Sequence, residues 1–272
     1  METAIKYKPL LLFIIAACSL LCCGFLFNKQ NSLIQLILLL WCTVSGIYIV
    51  YRFNDFIDQS KNFKFNVQRY FSSIENLTIT LQLLLLAAPI SIYYLSSFQI
   101  LVLSIACATG LIYSINFSHN NKNYRVKNIF LLKNIFIGFS WGALTLIGAN
   151  NFEIKTIAVL FLFASLQVVI GSIIRDIPDV LKDYEDNVKT LPIVAGIKST
   201  LIILSAFNLA LLSILTLETE YIIKEIVLFT IIWRSFLLIM LFKNYESKLW
   251  TQTINVSTCL VIFIIALIKC LL

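Results

Sequence analysis

The chain is written almost entirely in apolar runs the length of a membrane crossing. A bilayer core about 30 Å thick takes roughly 20 apolar residues in one helix. Runs of that kind cover residues 9–27, 32–51, 77–97, 98–116, 129–149, 154–174, 199–217, 221–242 and 250–271. Nine spans leave no room for a separate soluble domain in 272 residues. Composition agrees: hydrophobic residues make up 60% of the chain and charged residues 13%, against about 45–50% and ~25% in a soluble domain. Too few charged groups remain to cover a water-facing surface, so the main solvent is lipid. Disordered and fibrous classes are excluded. So is a nucleic-acid partner, because the basic residues behind the net charge of +7 form no single stripe. The expected fold is all-α: a polytopic membrane protein with nine transmembrane helices bundled around a central cavity.

The first run comes after Lys6 and Lys8, and Ile15-Ala16-Ala17-Cys18 resembles a lipoprotein cleavage box. The residues beyond it are more membrane rather than an exported domain, so this run is expected to be a span and not a leader. Cys18, Cys22, Cys23, Cys42, Cys107, Cys259 and Cys270 lie inside apolar runs without paired ligand spacing. They read as small buried hydrophobes. Orientation is set by the short loops. With the N-terminus inside, Lys6, Lys8, Arg52, Lys61, Lys64, Arg69, Lys122, Arg125, Lys127, Arg175, Lys182, Lys189, Lys198, Lys243 and Lys248 are cytoplasmic, whereas Lys29, Lys155, Lys224 and Lys269 lie opposite. The expectation is a cytoplasmic N-terminus, an external C-terminus and, as setting, a bacterial cell membrane. Lys133 and Arg234 fall within spans.

All six aspartates sit in two segments, after the second and sixth spans, and both segments are cytoplasmic in this topology. Asn54, Asp58 and Asn62 stand at i, i+4 and i+8, with Asp55 beside them; Asp176, Asp179, Asp183 and Asp186 step by three, four and three. On helices these are two carboxylate stripes. Like charges so spaced repel, so two stripes at the mouth of an apolar bundle call for a cation. Hard oxygen ligands suit Mg²⁺, which commonly shares its coordination with substrate phosphates. Arg52, Arg125, Lys127, Arg175 and Lys189 flank the stripes and could complete a diphosphate clamp. His119, the only histidine, reads as a solvated loop residue.

Asn54-Asp55-Phe56-Ile57-Asp58 resembles the first aspartate-rich motif of the UbiA superfamily of intramembrane prenyltransferases. Arg175-Asp176-Ile177-Pro178-Asp179-Val180-Leu181-Lys182-Asp183, with Lys189-Thr190-Leu191-Pro192 downstream, resembles the second. Tyr113-Ser114 and Arg125-Val126-Lys127 are similar to the elements after the family's fourth helix. The resemblance implies one domain over residues 1–272, built of two pseudo-repeated halves with acidic motifs at 54–62 and 176–186. It implies Mg²⁺ held by Asp55, Asp58, Asp176, Asp179 and Asp183, with Asp58, Asp179 and Asp183 catalytic. Asn54, Tyr113, Arg125, Lys127 and Lys189 would bind the substrate diphosphate. This chain departs from the family at Asn62, where a third acid is usual, at Asn187, where glycine is usual, and in a longer 114–125 loop.

The implied reaction moves an isoprenoid chain from an allylic prenyl diphosphate to a small acceptor, usually aromatic, as in quinone or related lipid biosynthesis. Metal and basic residues stabilise the departing diphosphate, and the lipid-embedded site excludes water from the allylic cation. A membrane terpene cyclase on the same scaffold, a cation-coupled transporter and a non-catalytic relative are the alternatives. The acids stand at span ends rather than mid-bilayer, which disfavours the transporter.

Overall fold

In the computed structural model the described residues are 2–27, 32–59, 93–114, 116–119, 122–125, 129–149, 154–185, 188–217, 220–243, 245 and 248–271. The helices are α1 (Glu2–Leu26), α2 (Leu33–Gln59), α3 (Ser97–Ser114), α4 (Leu132–Gly148), α5 (Ile154–Asp176), α6 (Val180–Glu185), α7 (Leu191–Ala195), α8 (Ile197–Ala210), α9 (Ile214–Leu217), α10 (Tyr221–Leu241) and α11 (Lys248–Leu271). Among the described residues, five helical stretches are long and apolar enough to cross a bilayer, and the shorter Leu11–Leu26 and Leu132–Gly148 are also apolar. The chain is an integral membrane protein. Of the expected span 77–97, residues 77–92 lie outside the described residues.

Several boundaries have local causes. α3 opens with a reciprocal box: the Ser96 N–H donates to Gln99 Oε1 (3.1 Å) and the Gln99 N–H to Ser96 Oγ (3.2 Å), satisfying backbone donors that a helix start leaves open. The Gln99 amide then donates to the Ile147 carbonyl of α4 at 2.8 Å. The expected span 199–217 is α8 followed by a 3₁₀ turn, Leu211–Ser213, and α9. There the Ser213 and Thr216 hydroxyls donate to carbonyls three residues back, a local bond that competes with regular helix.

One short element departs from the helices. The stretch expected as a long loop carries a two-stranded antiparallel hairpin, β1 (Asn116–His119) with β2 (Lys122–Arg125), which registers Phe117 opposite Tyr124. Only two residues, both asparagine, separate the strands. His119 therefore ends a strand.

α4 is the central partition. It packs against α5, α1 and α3, and it does so through missing side chains. A Cβ on Gly142 would meet the Ser165 Cα and Cβ at 2.9 Å, and one on Gly148 would meet the Phe25 nitrogen at 2.6 Å. Close backbone approach through small residues is how helices associate where lipid removes the hydrophobic drive. The cysteines divide: Cys23, Cys42 and Cys259 are buried, and Cys270 is exposed on the outer surface of α11.

Candidate active site

Three contiguous cavities run between the helices, and Trp141 lines all three. The first, about 600 Å³ counted with its open side, is lined by α2, α3, α4 and α5 residues that include Asn54, Tyr113, Ser114 and Arg175. Asn54 opens the first acidic motif and Arg175 immediately precedes the second. The fold thus brings the start of the first motif and the residue before the second to one chamber. Ser114 donates to Asn54 Oδ1 at 3.1 Å, so the serine of the Tyr113-Ser114 pair orients the first motif.

The second motif is described in side-chain detail. α5 ends at Asp176, a 3₁₀ turn covers Ile177–Asp179 with Pro178 in it, and α6 resumes at Val180. Proline cannot donate the next helical hydrogen bond, so the expected continuous stripe is tightened by one turn. Asp176 is the anchor. It accepts from Lys133 Nζ at 2.8 Å and from Asn134 Nδ2 at 3.1 Å, and Asn134 also donates to Ser172 Oγ at 2.9 Å. Lys133 Nζ is 4.0 Å from Asp183 Oδ2, and all three charged side chains are under a fifth exposed. That Asp183 oxygen is buried without a hydrogen-bond donor among the described residues. Asp183 stands seven residues past the end of α5, beyond the apolar span. Burial pushes its carboxyl above the usual carboxylate range; the Lys133 ammonium opposes the shift, and Asp176 and Asp179 reinforce it.

The sequence places Lys133 inside a span; the structure moves it to an end. α4 begins at Leu132, so Lys133 occupies its first turn, at the chamber mouth, because Leu131 takes a left-handed backbone (φ 59°) just before the helix. The polar pair Lys133-Asn134 in an otherwise apolar run is the available signal.

The remaining expected residues divide. Asp55 and Asp58 are described through backbone only, in the last two turns of α2. Arg125 closes β2, likewise through backbone only. Lys127, Asn62, Asp186 and Asn187 lie outside the described residues. Lys189 is exposed and lines none of the three cavities, whereas its neighbour Thr190 is buried. No group of three or more acidic, histidine or cysteine side chains close enough to hold a metal occurs among the described residues. The second motif alone, with Asp176 already engaged by Lys133, does not make a cage.

An aromatic cluster walls the chamber. The Phe13 ring stacks on Tyr51 at 5.1 Å and meets Trp141 edge-on at 6.1 Å. The Arg175 guanidinium carbon stands 4.7 Å from the Phe13 centroid, a cation–π contact that ties α5 to α1.

Fold and site together define a helical intramembrane protein whose charged chamber opens where two acidic segments begin. The chain belongs to the UbiA prenyltransferase family, which it matches over residues 11–264. It is 39% identical over 71 residues to a digeranylgeranylglyceryl phosphate synthase of Methanosarcina mazei, and it spans only a quarter of that curated relative's length (25% of either chain). Among solved structures it resembles the apo form of a UbiA homologue from Aeropyrum pernix K1, with TM-score 0.68 and 14% identity, covering 94% of this chain and 97% of that one. It also resembles an Archaeoglobus fulgidus UbiA homologue bound to GPP and Mg²⁺, with TM-score 0.68 and 14% identity over 98% and 100% of the chains. A structure of a digeranylgeranylglyceryl phosphate synthase superposes with TM-score 0.61 and 19% identity over 99% and 100%.

Proposed function

We propose that the protein is a Mg²⁺-dependent prenyltransferase that moves an isoprenoid chain from an allylic prenyl diphosphate to a small acceptor. The observation that carries this reading is the shared chamber: Asn54, which opens the first motif, and Arg175, which immediately precedes the second, line the same cavity. Structural relatives bound to GPP or DMAPP with Mg²⁺ support it, as does the family. The acceptor class is aromatic or a related lipid precursor. Nine spans in one domain of two pseudo-repeated halves, with the mouth and the N-terminus on the cytoplasmic side, complete the proposal.

The residues fit a hard divalent ion. Asp183 presents a buried oxygen with no hydrogen-bond donor among the described residues, its carboxyl is raised chiefly by burial, and a second acidic segment ends α2. Asp55, Asp58, Asp176, Asp179 and Asp183 would hold Mg²⁺. When bound, the metal supplies charge neutralisation of the leaving diphosphate.

The chain's own groups do the rest. Arg175, fixed over Phe13, and Lys133, fixed by Asp176, stand ready to donate to diphosphate oxygens; Asn54 and Tyr113 would orient them, and Arg125, Lys127 and Lys189 would close on them from the loops. Charge-assisted donors of this kind are about twice as strong as neutral ones. As the C–O bond of the donor breaks, positive charge develops on the allylic carbons. The rings of Tyr51 and Trp141, which line the chamber, can steady that charge by about 0.5–2 kcal/mol each, and the enclosing helices keep water from it.

The test is turnover of geranyl diphosphate by purified Asp58→Ala, Asp179→Ala and Asp183→Ala, with folding checked by thermal unfolding. All three should be folded and inactive, and chelation should silence the unaltered protein. Activity retained in all three variants would overturn the assignment.

A further inference from the structure

Beneath Arg175, on the side away from the acidic motifs, lies a second cavity of about 550 Å³ counted with its open side, lined mainly by apolar residues of α1, α4, α5 and α11. One lining residue does not belong in such a place. Arg234 of α10 is 1% exposed, the largest fully buried side chain described. Its Nε donates to Gln167 Oε1 (3.2 Å), its Nη1 to Asn255 Oδ1 (3.0 Å) and its Nη2 to the Gln167 carbonyl (3.1 Å). All three acceptors are neutral. Among the described residues no carboxylate pairs with the guanidinium. A guanidinium carries five N–H groups, so two remain without a protein acceptor among those residues.

A buried charge inside a membrane is costly and ordinarily paired. Cross-linking alone does not account for it, since amides already tie these helices: Gln167 donates to Asn208 at 2.9 Å, Asn208 to the Ile231 carbonyl at 3.1 Å, and Asn255 to the Gly171 carbonyl at 2.8 Å. The backbone also keeps the site open. A Cβ on Gly171 would meet Asn255 Oδ1 at 2.7 Å, so glycine there lets the Asn255 amide lie against α5. Ile137, Trp141 and Arg175 line this cavity as well as the chamber above it, so the two adjoin.

Resting on the transferase reading, we propose that this lower cavity seats the acceptor and that Arg234 binds an anionic group carried by it, a carboxylate or a phosphate. The geometry suits that division. Gly171 precedes Asp176 by five residues, about 7.5 Å along the helix. An anion held at Arg234 is clear of the diphosphate at the mouth, while the other end of an acceptor one ring or one glycerol unit long reaches up toward Arg175 and the aromatic wall.

The test is calorimetric titration of the purified full chain in detergent with benzoate against benzamide, and with dodecyl phosphate against dodecanol. At least one anion should bind about tenfold or more tightly than its neutral partner, and the pair that shows the preference identifies the acceptor's acid as carboxylate or phosphate. Arg234→Gln should abolish the preference and Arg234→Lys should retain part of it. Asn255→Asp is the decisive variant because it keeps the arginine and hands it a carboxylate, at the loss of the amide donor to the Gly171 carbonyl: it should still fold, as thermal unfolding checks, yet lose the anion preference. No preference in the unaltered protein, or a preference that survives Asn255→Asp, overturns the proposal. Geranyl diphosphate with Mg²⁺, titrated into the same preparations, reports on the mouth separately. Its failure to bind the unaltered protein would count against the transferase reading, whatever the anion pairs show.

Discussion

Replacing Lys133 with methionine should weaken the metal-free protein and leave the metal-loaded protein nearly untouched. Methionine keeps most of the volume and removes the ammonium that stands 2.8 Å from Asp176 and 4.0 Å from Asp183. Breaking a buried pair by deleting one partner costs about 3–5 kcal/mol. Here the loss is smaller, because Asn134 still donates to Asp176 and the site opens to a cavity, so about 2 kcal/mol is the expected destabilisation. For a chain of this size that lowers the unfolding midpoint by roughly 4–8 °C. Mg²⁺ should restore most of it, because a divalent ion replaces the lost positive charge between the same carboxylates, and the variant should bind Mg²⁺ without substrate more tightly than the unaltered protein does. Thermal unfolding in detergent across a Mg²⁺ series measures both effects. Equal midpoints without metal, or an equal response to Mg²⁺, would refute the idea that Lys133 takes the cation's place when the metal is removed.

Two further outcomes are open to direct measurement. Trp141 lines all three cavities, so Trp141→Ala should lower turnover of geranyl diphosphate by roughly 2–30-fold, the span of one cation–π contact. Its affinity for the diphosphate should change little, and steady-state kinetics separate the two. Reporter fusions should find the N-terminus cytoplasmic and the C-terminus outside; an inverted pattern would discard the orientation drawn from the basic loops.

What the sequence made legible was local in origin. The acidic stripes are visible because helical spacing of three and four is a property of neighbouring residues; that Asn54, Tyr113 and Arg175 line one cavity is known only from the fold. Lys133 and Arg234 are plainly visible too, as the two cations inside apolar runs, but their partners are 43 and 67 residues away in the chain. Whether Lys133 sits in a span or at a mouth depends on one backbone angle at Leu131. Arg234 addresses α5 through the side chain and carbonyl of Gln167, contacts that no local pattern announces. The hairpin at 116–125 is too short to show a period, and its polar residues look like loop.

The periodicity of α4 joins packing to chemistry, which gives a last test. On one face Asn134, Gly138 and Gly142 recur every fourth residue and admit α5. On the adjacent face Ile137, Trp141 and Leu144 line the cavities. A Cβ on Gly142 would stand 2.9 Å from the Ser165 backbone, where ordinary contact begins near 3.4 Å. Gly142→Ala therefore forces α4 and α5 apart by about half an ångström, at a cost of roughly 1–3 kcal/mol for overpacking. The separation carries up the helices to the mouth, where Lys133 and Asn134 of α4 must reach Asp176 of α5. The variant should be less stable, and it should bind geranyl diphosphate with Mg²⁺ more weakly although it alters no residue of the mouth. Phe139→Ala, on a lipid-exposed side of the same helix, serves as the control and should leave binding unchanged. If Gly142→Ala matches that control in both measurements, close approach of these two helices is not what aligns the second acidic motif with its lysine.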